Sequence, residues 1–168
     1  AQAFVRDPGI VDFVVDQGVR FVTTSAGNPM KYTAKLKDAG LTVFHVVPTL
    51  HAAHKAVEAG CDGIDTAISA FSGGTSQPAT ETLNYAFRQM GYDTGLNDKI
   101  LKEINDYFKP VKAKYIASNK LDAFVMGTET DALVYQVPGG MLSNLLAQLK
   151  AQNALDRLDE VLAEIPDV

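Results

Sequence analysis

Cysteine is nearly absent from this chain: Cys61 is the single one in 168 residues, so no disulfide closes within it and a reducing compartment suits it. Cys61 itself reads as a small buried residue entering a strand. No stretch approaches the ~18 consecutive apolar residues of a membrane span. The opening residues AQAFVRDP lack the cationic-then-apolar pattern of a secretory signal. The expectation is a soluble, cytoplasmic chain. Lys and Arg form no cluster and the formal net charge is −5, which argues against nucleic acid, whose phosphates demand concentrated cations. No spacing suggests a repeat, a heptad array or a disordered tail. What is present, 46% hydrophobic and 21% charged residues, is the composition of a globular protein large enough for one domain or one and a half.

In chain order, Asp7-Pro8 opens a short helix that Gly18 stops. Residues 19–24 are an apolar, β-branched run between glycines, as in a buried parallel strand. Asn28 and Pro29 read as N-cap and first residue of a helix running to Gly40. Residues 41–47 predict a second strand, and Thr49 caps a helix over 50–59. A third strand enters Asp65. Three βα units in the first ~75 residues imply a parallel sheet with right-handed crossovers. Residues 80–90 predict a helix stopped by Gly91. Asn97 or Asp98 caps a long amphipathic helix that Pro110 is expected to kink or split. Residues 117–130 read as irregular or as a short helical turn, and 132–137 as a strand or extended run. Helices from Pro138 and from Leu155 complete the chain.

The segment 65–81, DTAISAFSGGTSQPATE, carries the chemistry. A short apolar strand leads through Phe71-Ser72-Gly73-Gly74 to Thr75-Ser76-Gln77-Pro78 at the mouth of a helix starting near Ala79. Strand, Gly-rich loop and helix N-terminus form an arrangement in which α/β proteins hold ligands, because free backbone N–H groups point outward there. The same residues also suit an ordinary βα connection.

This stretch, with YDTGLNDKILKEINDYFKPVKAKY (92–115) and TDALVYQVPGGMLSNLLAQLKAQNALDRLDEVLAEIP (130–166), resembles the carboxyltransferase domain of biotin-dependent enzymes. Oxaloacetate decarboxylase α subunit, transcarboxylase 5S and pyruvate carboxylase are its members, and the likeness covers roughly 56–168. The resemblance implies that Thr75 passes a proton between biotin and the pyruvate enolate, with Ser76 and Gln77 supporting it or binding substrate. It also puts PGGMLSN, with Gly139 and Gly140, near a substrate funnel, where helix packing alone is the plainer reading. A divalent metal, and biotin carried on a partner, are the cofactors so implied.

Residues 18–64 resemble a different family. The TTSAGNP loop and VFHVVPTLHAAHKAVEAG are similar to flavin-dependent barrels of the nitronate monooxygenase and enoyl reductase kind, which implies FMN. The two likenesses overlap around 56–64, so the chain reads as chimera-like, two half-barrels joined in a shared segment, whether a natural recombination, an engineered chimera or a composite. The expected fold is α/β: a partial (β/α) barrel or a small open parallel sheet with flanking helices, then a helical C-terminal region. The expected division is a βα-repeat region over 1–90 and a mainly helical region over 91–168.

Neither implied site is complete. A full (β/α)8 barrel needs about 200–250 residues. The carboxyltransferases hold their metal with an early Asp, a carbamylated Lys and a His-x-His pair. Here His45 is followed by Val46-Val47, and no early Asp-plus-Lys strand motif is recognisable. The flavoenzymes' later Gly-rich phosphate loops are missing, as is the biotin-carrying Ala/Val-Met-Lys-Met tetrad. His51 and His54 share a helical face but lack a third ligand at suitable spacing, so they read as solvated, and no metal ligand is assigned. The expectation is a carboxyltransferase-type chain, inactive alone, with an open sheet that a second copy or a partner subunit completes. A flavin oxidoreductase remnant and a non-catalytic assembly chain are the alternatives.

Overall fold

The computed structural model describes residues 2–25, 27–127 and 139–164. The strand or extended run expected at 132–137 lies outside them. The chain divides into two compact units, one of residues 1–67 with 82–94, the other of 68–81 with 95–168.

The first unit holds three parallel strands in the order β1 (Phe21–Ser25), β2 (Thr42–Val46) and β3 (Gly63–Asp65). Phe21 pairs with Thr42, Thr24 with His45, and Phe44 with Gly63. Each crossover runs through a helix: α3 (Thr33–Asp38), entered by a 3-10 turn at Pro29–Lys31, and α4 (Leu50–Glu58). Helices α1 (Gln2–Arg6) and α2 (Gly9–Asp16) precede β1, and α5 (Thr80–Gln89) follows later in the chain. The caps are those the sequence predicts. Asn28 Oδ1 accepts from Met30 N at 3.1 Å and Thr49 Oγ1 from Ala52 N at 3.2 Å.

Side chains alternate across a strand, so the register sorts the sheet into two faces. Val22, Thr24, Val43, His45 and Ile64 share the helix-covered side. There Val11, Tyr32, Leu36, Leu41 and Val43 form one core cluster, and Val47, Ala53, Ala56, Leu83 and Phe87 form another. Ala53 and Ala56 are fully buried, small enough to seat α4 closely on its neighbours. The opposite side carries Phe21, Thr23, Ser25, Thr42, Phe44 and Asp65, all exposed. On it the Phe21 and Phe44 rings meet edge to face at 5.1 Å. The architecture is therefore a small open parallel sheet with helices on one side, and no closed barrel forms among the described residues.

The second unit is helical. Helix α6 (Asp98–Ala117) is capped by Asn97, whose Oδ1 accepts from Lys99 N and Ile100 N at 3.0 and 3.2 Å. It runs unbroken through Pro110, where splitting was one expectation. The residue is exposed, and its missing N–H leaves one carbonyl of the preceding turn without its helical donor. Helices α7 (Gly139–Ala151) and α8 (Leu158–Glu164) bury Leu142, Leu146 and Leu162 against one another. Two 3-10 turns lie at Ala123–Met126 and Leu155–Arg157.

Candidate functional site

The apolar lead-in to the Thr75 loop ends sooner than its sequence suggests. β3 stops at Asp65, and a 3-10 turn at Ser69–Phe71 then precedes the glycines. That turn is fastened at its start. Ser69 N and Ser69 Oγ donate to Glu81 Oε2 at 3.0 and 2.6 Å, and Ala70 N donates to Asn105 Oδ1 on α6 at 2.7 Å. Phe71 packs edge to face on Phe108 of α6 with ring centroids 5.9 Å apart.

Beyond the turn the loop closes on itself. Gly73 N donates to Gln77 O at 3.0 Å and Ser76 N to Gly73 O at 2.8 Å. The closure needs left-handed backbone at two consecutive residues, Gly73 (φ 79°) and Gly74 (φ 53°), which explains why both are glycine. Thr75 stands half-buried at the tip, Ser76 is exposed and Gln77 half-buried. Helix α5 starts at Thr80, so Pro78 precedes it by two residues. A threonine hydroxyl held this way is both donor and acceptor, the minimum for relaying a proton.

Gly139 and Gly140 open α7, where Gly140 is exposed and its carbonyl accepts from Ser143 Oγ at 3.0 Å. Among the described residues no hydrogen bond joins them to the Thr75 loop. Thr75, Ser76 and Gln77 thus come together as one loop, with the two later glycines at a separate helix start. The anchors Glu81 and Asn105 are what sequence reasoning missed. They lie 12 and 35 residues from the amides they hold, separations that no local pattern reports.

The three histidines, to none of which the sequence assigns a metal, lie apart from the Thr75 loop in the chain. His45 is 3% exposed and faces the helix-covered side of the sheet, its Nδ1 2.7 Å from Thr24 Oγ1. Burial holds its imidazole below the ordinary value. His51 is exposed, while His54 Nε2 lies 3.3 Å from Tyr92 Oη and its Nδ1 3.6 Å from Glu58 Oε1. Among the described residues no three His, Cys, Asp or Glu side chains converge as a metal site. Half-buried Cys61 lies 3.8 Å from Thr33 Oγ1, and burial pushes its thiol up, away from reactivity. No helix among the described residues is long and apolar enough to cross a membrane.

With this geometry stand the similarities to known proteins. Residues 132–168 match the family model described as the conserved carboxylase domain. Over 115 residues, 68% of this chain, it is 56% identical to a subunit of the pyruvate carboxylase of Methanothermobacter thermautotrophicus. Over 114 residues it is 43% identical to the methylmalonyl-CoA carboxyltransferase 5S subunit of Propionibacterium freudenreichii subsp. shermanii. The fold matches the solved carboxyl transferase domain of Rhizobium etli pyruvate carboxylase with a TM-score of 0.76 at 23% identity, covering 95% of this chain and 29% of that one. These findings support one class, the carboxyltransferase domain of the pyruvate carboxylase and transcarboxylase family. The chain spans about one fifth of the length of the two curated relatives, 20% and 22%. Coverage of 95% also means that most of residues 18–64 shares this fold.

Proposed function

We propose that the chain is part of a carboxyltransferase subunit of the biotin-dependent kind, related to oxaloacetate decarboxylation and transcarboxylation, and inactive on its own. The observation that carries this reading is the 56% identity to a pyruvate carboxylase subunit. The shaped GGTSQP loop, with its hydroxyl at the tip, gives that identity a chemical meaning. In this reading Thr75 Oγ1 takes a proton from one partner and returns its own to the other, biotin and the keto-acid enolate being the two. Ser76 and Gln77 flank the substrate, and Gly139 and Gly140 border its approach. Among the described residues no metal-binding cluster is present to polarise the keto-acid carbonyl. An enolate therefore gains little stabilisation, and turnover by this chain alone is negligible. Among the described residues β1 and β3 are the outer strands of the sheet, and their edges leave room for strands from a partner subunit or a second copy.

The test is oxaloacetate decarboxylation with free biotin, with and without added Mn²⁺ or Zn²⁺, on a sample that melts cooperatively. No turnover from the chain alone, and turnover once the remaining part of a carboxyltransferase subunit is supplied, are the expected results. No turnover from the completed assembly overturns the proposal. A yellow preparation with flavin absorbance would favour the oxidoreductase likeness of residues 18–64 instead.

A further inference from the structure

We infer that Glu81 and Asn105 are positioning residues for the Thr75 loop, acting through the 3-10 turn at Ser69–Phe71. The amides of Ser69 and Ala70 begin that turn, and a carboxylate on α5 and an amide oxygen on α6 take them separately. Neither amide could be satisfied by the turn itself, since the first N–H groups of a helical turn have no partner within it. Glu81 adds the Ser69 hydroxyl as a third donor, a hydrogen bond strengthened when the carboxylate is ionised. Ser72 Oγ then donates to Ser69 O at 3.2 Å, which carries the anchored geometry to the residue before Gly73. From Gly73 onward the loop is held by its own two backbone hydrogen bonds. The take-off direction of the tip is thus set by two side chains that never approach the Thr75 hydroxyl through a hydrogen bond of their own.

That this positioning serves chemistry rests on the carboxyltransferase reading, but the clamp is measured without turnover. Amide hydrogen exchange, followed by NMR on the full chain, compares the wild type with Glu81→Ala, Glu81→Gln and Asn105→Ala. In Glu81→Ala the amides of Gly73 and Ser76 exchange at least about tenfold faster and the Thr75 amide resonance moves, while amides of mid-α6 and α7 keep their rates. Glu81→Gln, which keeps an acceptor oxygen at the same reach, restores much of the protection. Asn105→Ala gives the same loop-confined pattern, and decides the matter if Glu81→Ala does not fold. Unchanged loop exchange overturns the inference. So does acceleration of all amides together, which would make the two side chains plain contributors to stability. Failure of the carboxyltransferase reading shows itself separately, as absent turnover in the completed wild-type assembly, and leaves the exchange result standing.

Discussion

Thr24 and His45 meet at 2.7 Å, Oγ1 to Nδ1, on the side of the sheet that the helices cover. They are register partners on β1 and β2, and Thr24 Oγ1 also donates to Phe44 O at 3.2 Å. One hydroxyl proton cannot serve both neighbours. With it on Phe44 O, the hydroxyl oxygen accepts from an Nδ1–H of the imidazole. His45 is therefore a core histidine of the helix interface, on the face opposite to Phe21, Phe44 and Asp65.

A pH dependence follows. Burial lowers the folded-state pKa of His45 below its ordinary 6.5, so the unfolded chain takes up a proton that the folded chain resists. This makes stability complete above about pH 6.5 and progressively lost as the pH falls below it. Denaturant melts at pH 8 and pH 5 should show a larger loss for the wild type than for His45→Gln, which removes the titrating ring. Equal losses in the two proteins would mean that His45 is not the responsible group.

Gly63 is where β3 passes the ring of Phe44. A Cβ added there would lie 2.6, 2.8 and 2.9 Å from Phe44 Cε1, Cζ and Cδ1. Gly63→Ala should push the exposed Phe44 ring off its rotamer, at a cost of about 0.5–1.5 kcal/mol. The ring is partly exposed and forms the obstacle by itself, so in a Phe44→Ala background the same change should cost less than about 0.5 kcal/mol. A double-mutant cycle by urea unfolding gives that difference directly.

Asp62 ties the crossover from α4 to the sheet. Its carboxylate receives Lys37 Nζ at 2.6 and 2.8 Å and Val43 N at 2.7 Å. The Lys37 hydrogen bond first, and the Val43 amide second, hold its pKa below the ordinary 3.8. With the side chain 36% exposed, Asp62→Ala should cost only about 1 kcal/mol at pH 7. A depressed carboxylate stabilises above its unfolded pKa and loses that contribution as the pH falls through the folded value. The gap between wild type and variant should accordingly close below pH 3.8.

The sequence makes legible whatever is local. Asn28, Thr49 and Asn97 announce their helices because a capping side chain reaches only two or three residues ahead. The β-branched runs of β1 and β2 announce a parallel sheet for the same reason. The Ser69–Phe71 turn is different, for it depends on Glu81 and Asn105 arriving from two other helices. The environment of His45 is likewise hidden, since whether it faces the helices or the open side is fixed by register with β1. In the loop, Gly73-Gly74 was readable as flexible backbone, but its closure onto Gln77 and its two-sided anchorage were not. Pro110 marks the opposite limit, a strong local signal that an exposed position on a long capped helix tolerates.

Thr75→Ala tests the hydroxyl itself. The loop is shaped by Gly73 N to Gln77 O and Ser76 N to Gly73 O, neither of which uses the Thr75 side chain. The substitution should therefore shift stability by less than about 0.5 kcal/mol, checked by thermal melting. In the chain alone, the proposed reading expects negligible oxaloacetate turnover with or without the substitution, because a proton relay without carbonyl polarisation has no enolate to serve. In a completed subunit the same change should cost about 10²–10⁴-fold in kcat, the range of a lost general acid–base group, with KM little moved. A clear loss in the chain alone would show instead that its own residues assemble a competent site. An unchanged kcat in the completed subunit would remove Thr75 from the proton path.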